Sequence, residues 1–158
     1  MNRILSDLHT HTQHCDGKNT AEEMAAALAA GLTDYGFSCH GVTPFDLSYS
    51  LKNEAGYVQD IRALQTQYAG RLRIYCGVEQ DFFAPVEKRE RFDYLIASLH
   101  YLPDADRKAY YAIDGSPETL ASCIRDCFGG DPYRMIQSYY TYVAENVLVN
   151  RPDIIGHF

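Results

Sequence analysis

Two histidines one residue apart, within Asp7-Leu8-His9-Thr10-His11-Thr12-Gln13-His14-Cys15-Asp16-Gly17, are the first residues whose types and spacing suggest chemistry. In an extended segment, residues i and i+2 project to the same side. The imidazoles of His9 and His11 therefore converge and can share a divalent cation. Asp7, or a backbone carbonyl, is placed to orient a ring nitrogen from behind. Asp16 sits in an Asp-Gly turn and can fold back as an oxygen ligand. His14 lies between His11 and Asp16 and reads as an exposed loop residue. A His-x-His pair alone is common and means little. The Asp before it, the Asp-Gly after it and the strand that leads into it turn it into a metal-site signal.

More donors follow at the ends of later strand-like segments. His40 follows Thr33–Cys39, Glu79 follows Leu72–Val78, His100 follows Phe92–Leu99, and His157 follows Ile154-Ile155-Gly156. Gln80 and Asp81 come directly after Glu79. A single histidine at a strand end is ordinarily a solvated turn residue. The repetition changes the reading, because parallel α/β folds gather their ligands at the carboxyl edge of the strands. Nitrogen and oxygen donors in this mixture suit zinc, manganese or iron, and Glu79 can bridge two ions.

These donors need strands to carry them and helices between the strands. Arg3–Leu8 is a short first strand. Thr20 with Glu23 forms a capping box that opens a helix over Ala21–Ala30, stopped by Gly31. Thr33–Cys39 is a second strand, interrupted by Gly36. Asn53–Ala69 is an amphipathic helix with Val58, Ile61, Leu64, Gln65 and Tyr68 at helical spacing, and Gly70 closes it. Leu72–Val78 and Phe92–Leu99 are the clearest strands. Ser116-Pro117-Glu118 starts a helix that ends at Gly129-Gly130, and Asp131-Pro132 starts another that runs to about Asn150. Ile154-Ile155-Gly156 is a last strand. Alternating strands and helices predict an α/β fold with a parallel sheet, open or closed into a barrel, over one domain from 1 to 158. A parallel sheet wants a crossover helix after each strand, so a chain that stops just past a strand is expected to lack a C-terminal piece.

Composition narrows the function classes. The 158 residues are 46% apolar and 22% charged, an ordinary globular balance. The net charge of -7, with no basic cluster, disfavours a nucleic-acid backbone as partner. No apolar run is long enough for a membrane span, and the N-terminal residues become polar too early for a signal peptide. Five cysteines without a C-x-x-C pair predict reduced thiols in a cytoplasm, with Cys39 and Cys76 as strand-core residues.

Taken in order, Asp7–Gly17, Ser38-Cys39-His40-Gly41, Gly77-Val78-Glu79-Gln80-Asp81, the stretch Asp93–Tyr101 and Asp153–Phe158 resemble the successive metal motifs of the PHP (polymerase and histidinol phosphatase) superfamily. Within it the chain is most similar to the histidinol-phosphate phosphatases. The resemblance implies an incomplete, distorted (β/α)7 barrel with outer helices and up to three divalent ions at the strand ends. His9, His11 and Glu79 would hold the first ion, Asp16 and His40 the second, and Glu79, His100 and His157 the third. Asp16 occupies a place where other members use a histidine one residue later. Asp81 and Tyr101 would line the pocket. The implied reaction is hydrolysis of L-histidinol phosphate in histidine biosynthesis, with a metal-activated hydroxide as nucleophile and no catalytic side chain identified. Other members' substrates, such as phosphotyrosine, nucleotides or sugar phosphates, remain open, as does a non-catalytic metal-binding module. The family's final D-x-H motif has no counterpart before Phe158, which again predicts a truncated domain.

Overall fold

The computed structural model describes residues 5–26 and 31–158. The start of the predicted first strand, Arg3 and Ile4, and the predicted helical residues 27–30 lie outside the described residues. The elements are β1 (Ser6–Asp7), α1 (Ala21–Ala25), β2 (Asp34–Phe37), α2 (Glu54–Gln67), β3 (Arg73–Asp81), β4 (Tyr94–Ser98), β5 (Tyr101–Pro103), β6 (Tyr110–Ala112), α3 (Pro117–Phe128), α4 (Pro132–Asn150) and β7 (Ile154–Ile155). The fold is α/β, with a parallel sheet of strand order β1-β2-β3-β4-β7 and a separate two-stranded β5-β6 sheet. The chain divides into two compact units, Met1–Gln80 with Ala84–Ile96, and Asp81–Phe83 with Ala97–Phe158.

In the first unit, β1 pairs in parallel with β2 through Ser6 opposite Asp34, and β2 pairs in parallel with β3 from Asp34–Arg73 to Phe37–Cys76. Thr20 and Glu23 make the predicted capping box at the start of α1. Asn53 caps α2 by accepting from the Gly56 N–H. Tyr57, Ile61 and Leu64 form the buried stripe of α2, and Val58 and Tyr68 pack at its margin. Gln65, counted with the apolar stripe from sequence, instead donates to the Ile74 carbonyl and to Asp93. Phe37, Cys39, Cys76 and Val78 are fully buried against α2 residues.

Gly36, which weakens β2 as a sequence pattern, has a packing reason. A Cβ there would lie 2.3 Å from the Tyr94 hydroxyl, and one at Gly77 would lie 2.2 Å from the Tyr94 ring. The two glycines make room for a ring whose hydroxyl donates to the carbonyls of Leu8 at 2.6 Å and Phe37 at 3.2 Å. That one side chain fixes the height at which the segment after β1 leaves the sheet.

In the second unit, Gly156 N–H donates to the Ala97 carbonyl at 2.8 Å, which sets β7 beside the end of β4. The β5–β6 hairpin pairs Tyr101 with Ala112 and Pro103 with Tyr110 in antiparallel fashion. Sequence patterning places no element there. Ser116 and Asp131 cap α3 and α4, each with proline in the first turn, as expected. Leu99, Leu102 and Cys123 form the core of this unit, surrounded by Phe82, Phe83, Met135 and Tyr142. Among the described residues no helix is long and apolar enough to cross a membrane.

Candidate metal centre

The segment after β1 is extended, and its alternation sorts side chains as the period of two demands. Thr10 and Thr12 are buried at 8% and 0% exposure. The Thr10 hydroxyl donates to the Gly36 carbonyl at 2.8 Å, the Thr10 N–H donates to the Ser38 hydroxyl at 3.1 Å, and the Ser38 N–H donates to the Thr10 carbonyl at 2.8 Å. Thr12 N–H donates to the Cys39 sulfur at 3.3 Å. His9 and His11 are thereby turned the other way, toward Glu79.

Glu79 lies near the end of β3, 1% exposed. His40 is bridged to it in parallel register, and the Gly41 N–H donates to the Glu79 carbonyl at 2.8 Å. Three imidazoles meet one carboxylate oxygen, Glu79 Oε2: His9 Nε2 at 3.1 Å, His11 Nε2 at 3.3 Å and His40 Nδ1 at 3.1 Å. Asp16 closes the group from the other side, with Oδ1 at 3.4 Å from His11 Nδ1 and Oδ2 at 3.7 Å from His40 Nε2. The loop that returns Asp16 is tight, since Cys15 and Gly17 both donate to the Thr12 carbonyl at 3.0 Å. A Cβ on Gly17 would sit 2.5 Å from the His11 backbone, so only glycine permits the return. The Tyr49 ring stands edge-on to His40, centroids 4.6 Å apart, and braces it.

The donor set fits divalent ions. Ligands held about 2.0–2.2 Å from one tetrahedral ion lie about 3.3–3.6 Å apart, and the separations here cluster round that range. His11, Asp16 and His40 offer three donor atoms all within 4.8 Å of one another. Burial pulls the His11 imidazolium down, but the Cys15 and Glu79 contacts more than offset this and push it up to about 10. A cation bound by these nitrogens would compete with their protons.

The second unit gathers Asp81, His100 and His157. Asp81, 3% exposed, accepts N–H bonds from Phe83 at 2.9 Å and His100 at 2.8 Å. Its Oδ2 lies 3.6 Å from His100 Nδ1, and the His100 and His157 rings are 5.1 Å apart. Asp81 therefore holds the His100 backbone and ring together.

The predicted residues fall as follows. His9, His11, Asp16, His40 and Glu79 converge in the first unit. Asp81, His100 and His157 converge in the second. Asp7 accepts the His9 backbone N–H at 3.2 Å and so orients the segment. Tyr101 is buried within β5, which makes it part of the packing of its unit. His14 is not an exposed loop residue. Its Nε2 pairs with Asp60 of α2 at 3.0 Å and its ring meets Tyr57 edge-on, because the tight turn at Thr12–Gly17 points it at the helix. Thr10, Thr12, Ser38 and Tyr49 carry no metal signature in sequence; the alternation after β1 was the only hint that two threonines would anchor two histidines.

Residues 7–158 match the family described as PHP domain. A probable histidinol-phosphatase of Deinococcus radiodurans is 33% identical, covering 97% of this chain and 60% of that protein. A histidinol-phosphatase of Bacillus subtilis is 27% identical, covering 96% and 64%. The chain thus spans less than two thirds of the length of these relatives. Among solved structures, HisK from Listeria monocytogenes superposes with a TM-score of 0.60 at 22% identity, over 73% of this chain and 51% of that one. Histidinol phosphate phosphatase from Lactococcus lactis, complexed with zinc, L-histidinol and phosphate, superposes with a TM-score of 0.50 at 24% identity, over 63% and 43%. These structural likenesses establish the fold.

Proposed function

Because the chain belongs to the PHP domain family, we propose that it is the metal-binding portion of a phosphomonoester hydrolase whose substrate is L-histidinol phosphate. One observation carries this reading: three imidazoles and the carboxylate of Asp16 surround the buried Glu79 carboxylate in one unit of the fold. The relatives named as histidinol-phosphatases and the zinc-bound Lactococcus protein support the substrate and the metal class.

Bound divalent ions would neutralise phosphate charge and supply an acidified water as nucleophile. His9, His11 and Glu79 would hold one ion, Asp16 and His40 a second, with zinc, manganese or iron as candidates. His100, oriented through Asp81, and His157 would serve a third. The chain's own part is positional. Thr10 and Thr12 lock the two histidines of the first segment, and Asp81 locks His100. With a net charge of -7 and few basic groups, the protein relies on cations to hold an anionic ester. Histidine biosynthesis in the cytoplasm is the setting this substrate implies.

The test is an assay of the longest natural form on L-histidinol phosphate after metal loading. His9→Ala should abolish phosphate release without loss of fold. Full turnover by that variant contradicts the reading. A second reading is a metal-binding module without turnover. It predicts stoichiometric metal and no phosphate release from any of histidinol phosphate, phosphotyrosine, nucleotide or sugar phosphate.

A further inference from the structure

Cys15 and Cys39 take no part in the proposed catalysis, yet each adjoins a proposed ligand in sequence, Asp16 and His40. Both reach the same acceptor, the Thr12 carbonyl, at 3.5 Å from Cys15 and 3.9 Å from Cys39. Cys15 also lies 3.6 Å from His11 Nδ1. Thr12 grips Cys39 from two further atoms, its N–H at 3.3 Å and its hydroxyl at 3.2 Å. Two thiols are therefore held side by side by the same residue that anchors the metal-binding segment. Both are buried, at 6% and 0% exposure, so only a small oxidant can reach them.

We propose that Cys15 and Cys39 are an oxidisable dithiol, closed to a disulfide by a peroxide, and that closure withdraws Asp16 and His40 from metal binding. Cys15 sulfur attacks one peroxide oxygen, the O–O bond breaks, and a sulfenic acid forms with release of the first water. Cys39 sulfur then attacks Cys15 sulfur, the S–O bond breaks, and the second water leaves. Two electrons pass from the sulfurs to the peroxide, and both thiol protons end in water. The S–S bond, about 2.05 Å long, is far shorter than any approach of two unbonded sulfurs. The tight Thr12–Gly17 turn has no slack to absorb the difference, so Asp16 moves off its position against His11 and His40. The linkage stands without any metal reading; its effect on metal uptake rests on the proposed function.

The experiment uses the reduced, chelator-stripped chain treated with hydrogen peroxide, digested without reductant and mapped by mass spectrometry. The expected result is a peptide pair joined through Cys15 and Cys39. Zinc affinity by chelator competition should fall about tenfold or more and return with dithiothreitol. Cys39→Ser should give neither the linkage nor the peroxide-dependent fall. Should that variant fail to fold, the mapping on the unsubstituted chain decides alone. A disulfide confined to Cys123 and Cys127, the neighbouring pair on α3, or a sulfinic acid on Cys15 with Cys39 unmodified, overturns the proposal. So does a Cys15–Cys39 linkage that leaves zinc affinity unchanged. Absence of zinc uptake by the fully reduced chain, with the linkage still forming, overturns the coupling and identifies the metal reading as the part that failed.

Discussion

Glu79 is the residue on which the site turns. A carboxylate at 1% exposure is costly to bury unless paired, and here three imidazoles face it. Glu79→Gln keeps the shape and removes the charge, so zinc affinity should fall at least about 100-fold, measured by chelator competition with circular dichroism as the control for folding. An unchanged affinity places the metal elsewhere. Asp81 acts through neighbours, since it accepts the N–H groups of Phe83 and His100. Asp81→Ala leaves both donors without that acceptor and should cost about 1–3 kcal/mol of stability by urea titration. At this scale much was legible. The i, i+2 rule alone brings His9 and His11 together, and Asp-Gly marks the turn that returns Asp16. The His14–Asp60 pair was not legible, because its partner sits on a helix that only the tertiary fold brings near.

Among the elements, β2, β3 and the start of β4 are joined by side chains as much as by ladders. Tyr94→Phe loses the hydroxyl bonds to Leu8 and Phe37 and should cost about 1–2 kcal/mol. Gly77→Ala forces a methyl group into the Tyr94 ring and should cost about 1–3 kcal/mol. Thermal unfolding of the two single variants checks both values. Burial raises the Asp93 carboxyl, but its bonds from the Cys76 N–H, Arg62 and Gln65 prevail and hold it below the usual carboxylate range. Its folded-state value is depressed, so its contribution is complete above the ordinary carboxylate pKa and disappears as the pH drops through the lower folded value. Arg62→Ala should therefore narrow the stability difference between neutral and acid pH, read from urea midpoints across that interval. The strands that carry ligands were legible because each is a short apolar run ending in a polar donor. The β5–β6 hairpin was not, because its strands are three residues long and its loop holds charged residues that resemble any surface turn. Gly36 looked like a strand breaker until the Tyr94 ring explained it.

The chain divides into two units, each with its own core. The order of motifs along the chain was enough to recognise the family, since five motifs in one order are far more specific than any one of them. Which donors share a unit was not readable, because it depends on β3 passing from one unit to the other between Gln80 and Asp81. The chain spans 60% and 64% of the length of these two relatives.

The most direct measurement is an anomalous difference map, collected at the zinc absorption edge from crystals of the zinc-loaded chain. The expected result is density about 2.0–2.2 Å from donor atoms of His11, Asp16 or Glu79. An empty map with His9, His11 and His40 rotated away from Glu79 would contradict it.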